Sequence, residues 1–228
     1  MARSTTFPPW MLPLAIAATM LVSAHLAWAL SVQAGHIEAC NPYWDGCTSI
    51  SRAARHGLGN HLFRLLMLPC ALLLALHWWL AGEWLRQGDA RGADGAWLLA
   101  FGIAAAQALA VYVAFLGTDG PAYAFLRRYG VTVYFGCGYL AQLWFLRIAR
   151  RRGRLRRPMR MAMAGVCLAM LGIGVFKLLA DLTLDDPARM DRLENALEWQ
   201  LGLLLAAWYL LQAWLWRGER VALDFGPR

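Results

Sequence analysis

The chain has 228 residues, of which 60% are hydrophobic and 16% charged, with a formal net charge of +8. Soluble domains average about 45–50% apolar and about 25% charged residues, so an ordinary water-soluble globule is excluded. The positive balance would suggest nucleic acid in a soluble protein, but 21 of the 22 basic residues are Arg and most flank long apolar runs; topology accounts for them, and no nucleic-acid partner is expected.

Six apolar runs follow one another: Trp10–Val32, Leu62–Leu80, Ala96–Leu116, Tyr129–Leu146, Met159–Leu182 and Leu197–Trp216. Each has roughly the 17–25 residues that carry a helix across about 30 Å of hydrocarbon. The expected fold class is therefore all-α: a polytopic, six-transmembrane-helix bundle forming a single domain over residues 1–228. The first run holds Ala27-Trp28-Ala29, a small-x-small triplet like a signal cleavage site. Its apolar stretch exceeds the usual ~7–15 residues, so a retained span is expected. Pro69 is placed to kink the second span, and Pro158 suits the first turn of the fifth.

After the first span comes CNPYWDGC, Cys40 to Cys47. Pro42 and Asp45-Gly46 favour turns that bring the two sulfurs together. A bridge closing these eight residues would stabilise the loop by about 2.5 kcal/mol in the chain-entropy model. His36, His56 and His61 lie nearby, but six residues between the cysteines exceed the two to four of a usual zinc pair. A Cys40–Cys47 disulfide is expected, with no metal and no cofactor. Cys70, Cys137 and Cys167 fall inside spans and read as small apolar packers. The following segment, SISRAARHGLGNHLFR, carries Ser49, Ser51 and two His. It has no G-x-S-x-G elbow and reads as a solvated loop rather than an acyl-transfer site.

The segment Arg147 to Arg160 contains eight Arg and no acid, whereas Asp181 to Glu194 contains five acids and two Arg. With both termini in the cytoplasm, 14 Arg lie inside and seven outside, as the positive-inside rule expects. The Arg run reads as a topological signal in preference to a lipid-headgroup site. The Cys40–Cys47 loop then faces the oxidising side, where disulfides persist. Trp78, Trp79, Trp84, Trp144, Trp214 and Trp216 fall near the inner ends of spans and are expected as interfacial anchors.

Charges inside spans cost about 2.5–3.5 kcal/mol on the insertion scale and are functional candidates by default. Lys177 precedes Asp181 by one helical turn, and Glu198 begins the sixth span. Lys177 and Glu198 are expected at comparable depth, either as an ion pair that docks two helices or a Lys that snorkels outward, or as one polar intramembrane ligand site beneath the outer loop, with Asp181, His25, His61 and Arg64 as its further members. His77 needs only a backbone carbonyl, and Gln107 a hydrogen bond to a neighbouring helix.

The chain resembles the six-span DRAM family of autophagy modulators and its GPI-anchor-remodelling and phosphatidylinositol-kinase-suppressor relatives. The likeness rests on Pro42-Tyr43 and Ile50-Ser51 in the first outer loop, Lys177 late in the fifth span, Glu198-Trp199 opening the sixth, and the run WYLLQAWLWRGERVAL. The wider spacing from Pro42 to Ile50 marks an insertion bearing the two cysteines. The Ala- and Arg-rich composition looks bacterial. The resemblance implies a non-transporter protein concerned with lipids or with organising partners. The expected function is a non-catalytic, multi-pass protein of a bacterial inner membrane that binds membrane lipids or another membrane protein. The alternatives are a lipid-modifying enzyme acting at the outer leaflet and a small ion-coupled transporter.

Overall fold

Apolar runs of this length become long helices, because a helix satisfies its own backbone polar groups wherever water is excluded. The computed structural model describes residues 5–86 and 93–223; Arg3, Arg91 and Arg228, counted in the charge asymmetry, lie outside them. The elements in order are β1 (Thr5–Phe7), α1 (Met11–Gln33), the single turn α2 (Ile50–Ala53), α3 (Gly57–Arg86), α4 (Ala93–Ala114), α5 (Pro121–Arg151), α6 (Arg157–Thr183), α7 (Pro187–Leu215) and β2 (Val221–Leu223).

The fold is all-α apart from one ribbon, in which β1 and β2 pair antiparallel with Phe7 opposite Val221. Among the described residues, four helices are long and apolar enough to cross a membrane: Met11–Gln33, Gly57–Arg86, Asp94–Ala114 and Arg157–Thr183. These four suggest a membrane-embedded protein. The helices α5 and α7 are as long, at 31 and 29 residues, but more polar. Arginines occupy both ends of α5, and the first half of α7 carries Arg189, Asp191, Arg192, Glu194 and Glu198.

Consecutive helices pack side by side. α1 lies on α3, α3 on α4, α4 on α5 and α6 on α7, while α7 returns to α1. α5 meets α6 only sparsely. The helix α3 continues through Pro69, whose missing N–H leaves the carbonyl one turn back without its usual donor. Pro158 sits in the first turn of α6.

Large aromatics fill the interior: Trp78, Trp199, Trp208, Trp216, Tyr209 and Phe145 are fully buried. This corrects the anchor assignment for Trp78, Trp84 and Trp216, which are core residues, whereas Trp79 and Trp214 remain exposed. The close approach of α4 explains part of it. A Cβ on Gly102 would stand 2.3 Å from the Trp78 ring, so only glycine lets that indole lie between α3 and α4. His77 is also fully buried, among the Trp78, Tyr209 and Trp216 rings. Neither ring nitrogen has a hydrogen-bond partner, so the expected carbonyl contact is not made. Gln107 is exposed on α4 and makes no helix–helix hydrogen bond among the described residues.

Cys40 and Cys47 stand at disulfide distance with Cα atoms 6.5 Å apart, while Cys70 and Cys167 are buried and Cys137 is partly so. Protein unfolded in alkylating agent without reductant should therefore take three labels on its five cysteines by intact mass. Five labels before reduction would refute the bridge.

Candidate functional site

The chain between α1 and α3 is irregular, and α7 holds it in place. Gly46, at φ +61°, lets the Asp45-Gly46 turn press onto α7, where a Cβ would come 1.8 Å from the Arg192 carbonyl oxygen. Asn195 then donates to the Gly46 carbonyl at 2.9 Å, Trp199 Nε1 to the Thr48 carbonyl at 2.9 Å, and Gln200 to the Tyr43 carbonyl at 3.1 Å. From the other direction, the Ser51 backbone N–H donates to Glu198 Oε1 at 3.0 Å. Ser49 caps α2 by accepting from the Arg52 N–H at 3.1 Å, the usual role of an N-cap serine.

Beneath this loop lies a cavity of about 70 Å³, walled by α1, α3, α4, α5 and α7 and roofed by Tyr43 and Ile50. Its walls are mostly apolar, with Met20, Phe63, Met67, Leu109 and Phe135 among them. Polar residues line it too: His25, Tyr43 and Glu198, with Ser23, Tyr112 and Tyr134. His25 and Leu203 line it and are also exposed, which places an opening on the side of the bundle.

The ring nitrogens of His25 have distinct jobs. Nδ1 contacts the Leu21 carbonyl oxygen at 2.7 Å, and Nε2 contacts the Tyr43 hydroxyl at 3.0 Å. A carbonyl only accepts, so Nδ1 carries the proton and in the neutral ring Nε2 accepts from Tyr43. Trp199 packs edge-on against both rings, with centroids 5.4 Å away. Burial pushes the Tyr43 phenol up from its ordinary value, which keeps it protonated as a donor. Glu198 uses one oxygen on Ser51, leaving acceptor capacity at the cavity wall. Arg52 and Arg55 supply the nearest positive field. Arg52 is also held in a two-pronged ion pair with Asp191, one contact measuring 2.7 Å. The hydrogen bond from Arg52 holds the Asp191 carboxyl below the usual carboxylate range.

The structure divides the site expected around Lys177. Lys177 Nζ reaches Asp181 at 2.5 Å and Glu194 at 3.2 Å, on a half-exposed surface. Glu198 is not among its partners and turns instead to the loop. Of the remaining members, only His25 joins Glu198 at the cavity; His61 is exposed on α3, and Arg64 lies outside the lining. Ser49 and Ser51 hydrogen-bond each other at 3.0 Å. Sequence reasoning missed Tyr43 and Trp199 as site residues, although the Pro-Tyr and Glu-Trp elements pointed to both positions. Among the described residues no group of three His, Cys, Asp or Glu is placed to share a metal ion. No protein-family model, curated protein or solved structure matches this chain.

The division has a measurable consequence. Lys177→Met should cost at most about 1 kcal/mol, as for other exposed ion pairs. Glu198→Ala should cost about 1–3 kcal/mol, because the Ser51 N–H loses its acceptor. Denaturant unfolding of the double variant should then give the sum within about 0.5 kcal/mol, as for independent sites. A coupling well beyond that would mean the two charges share one site after all.

Proposed function

We propose that this chain is a six-span protein of a bacterial inner membrane, with both termini in the cytoplasm, that holds a lipid chain in the cavity beneath its outer loop. Four apolar helices support membrane embedding. Extending the count to six is supported by the length of α5 and α7 and by their packing alongside the other four. The pairing of β1 with β2 supports both ends lying on one side of the bundle and hence an even number of crossings. The Arg distribution, 14 against seven, favours the cytoplasm for that side.

One observation carries the lipid reading: a side-opening cavity whose walls are mostly apolar and which also carries His25, Tyr43 and Glu198. Its volume suits a short stretch of hydrocarbon rather than a whole lipid. One acyl chain would enter past Leu203, leaving a donor-bearing headgroup near Glu198. At this end Tyr43 and His25 hydrogen-bond each other and one Glu198 oxygen holds the loop, which supports a binding role. The resemblance to DRAM-like proteins points the same way.

Reporter fusions after Arg154 and Asp186 should report opposite sides of the membrane; agreement between them would end the six-span reading. For lipid, Ala24→Leu fills the cavity from α1, where Ala24 is buried. Purified in mild detergent, that variant should keep its unfolding temperature within about 5 °C yet lose most of the co-purifying lipid seen by mass spectrometry, since filling a void need not destabilise. A folded Ala24→Leu protein with undiminished lipid content would reject the cavity as the binding place.

A further inference from the structure

Where α5 meets α6 the two helices barely touch, and a second cleft opens there, away from the outer loop. Its volume is about 670 Å³, and it is lined by Leu146, Arg147, Arg150 and Arg151 of α5 with Arg160, Met161 and Ala164 of α6. We infer that this cleft binds the phosphate of an anionic glycerophospholipid in the cytoplasmic leaflet, with the lipid's chains running along the exposed face of α6.

The charges support this first. Arg147, Arg150 and Arg151 stand three and four residues apart, so they share one face of α5, and Arg160 answers from α6. Arg151 reaches Asp94 at 3.2 Å, and Arg147 lies 5.1 Å over the Trp144 ring. Arg150 and Arg160 have no acidic partner among the described residues. Four arginines therefore line one cleft, and among the described residues Asp94 is the one carboxylate paired with any of them. Like charges gathered so closely repel unless an anion enters, and guanidinium matches phosphate oxygens with paired N–H donors.

The apolar half of the cleft selects the source of that phosphate. Leu146, Met161 and Ala164 lie beside the arginines, and Met161 is 63% exposed. Further along α6, Leu168, Leu171, Val175 and Leu179 are all exposed, so an apolar track continues from the cleft. A soluble phosphate would leave that track unused. A lipid uses both halves, placing its headgroup among the arginines and its chains on α6. The sequence gives the Arg run a sufficient reason in topology. What it does not contain is the cleft, which arises because α6 leans on α7 and leaves α5 partly uncovered.

The test uses the full-length protein in neutral mixed micelles, with fluorescence quenching by dibrominated phosphatidylglycerol and, separately, dibrominated phosphatidylcholine. Trp144, beside Arg147, is the reporting indole, and its share of the signal from the twelve tryptophans is read as the difference between the protein and its Trp144→Phe variant. The wild type should be quenched at lower mole fractions of the anionic lipid, and inorganic phosphate at millimolar concentration should not relieve it. Replacing two arginines, as Arg150→Gln with Arg160→Gln, should weaken the anionic lipid by about 30-fold at low salt and leave phosphatidylcholine unchanged. Six of the eight arginines in the segment remain, so topology should hold. If that variant does not fold, Arg150→Lys with Arg160→Lys keeps the charge but loses the paired donors, and it should still weaken anionic lipid binding several-fold. Equal quenching by the two lipids, unaltered affinity in the folded variants, or competition by inorganic phosphate would each overturn the assignment. The outer cavity is independent of this outcome, because Ala24→Leu should leave the preference for phosphatidylglycerol intact.

Discussion

Everything at the end of the molecule where α1 leads into α3 depends on one constraint: the backbone of an irregular loop must find hydrogen-bond partners where it lies against a helix instead of water. Buried backbone groups without partners cost free energy comparable to a lost hydrogen bond. The loop between α1 and α3 meets this need through one face of α7. Asn195, Glu198, Trp199 and Gln200 each take one backbone group of the loop. Two turns of helix thereby fix Tyr43, Ile50 and Ser51, and with them the roof of the cavity. The Cys40–Cys47 pair restrains the loop from within, and the Arg52–Asp191 pair fastens its outer edge.

That docking also decides which charges belong together. The turn between α6 and α7 spans only residues 184 to 186, so the two helices run antiparallel from a common end. Lys177 lies about as far before the turn as Glu194 lies after it, which puts those two at one height. Glu198 lies one turn further along α7, under α2. Counting depth from the first apolar residue of the last run, near Leu197, misses this. The helix itself begins at Pro187, capped by Asp186 accepting from the Ala188 and Arg189 N–H groups. Its first turns stand beside α6 despite their charge.

The opposite half of the bundle is held by aromatic area. Trp84 and Phe145 stack, Trp208 meets Phe145 edge-on, and Trp216 lies against Trp84 and His77. Such pairs add about 0.5–1.5 kcal/mol beyond the area they bury. Several indole N–H groups and the Gln212 amide there have no side-chain or backbone partner. Packing of large rings therefore outweighs polar satisfaction in this region. At the loop end the reverse holds, since nearly every polar group named above is paired.

The sequence by itself determined the helices. Six apolar runs, their turn-forming ends and the spacing of Cys40 and Cys47 were legible because each depends on residues close together in the chain. The Arg asymmetry was legible for the same reason. Side-chain partnership was not, because it depends on rotation about a helix axis and on axial register between helices. A shift of one turn, about 5.4 Å, exchanges Glu194 for Glu198 opposite Lys177, and no local pattern records it. Rotation likewise sent Trp78 inward and its neighbour Trp79 outward. Only the tertiary structure brought His25, Tyr43, Glu198 and Trp199 to one cavity, because those four come from three separate segments and meet only when α7 satisfies the loop.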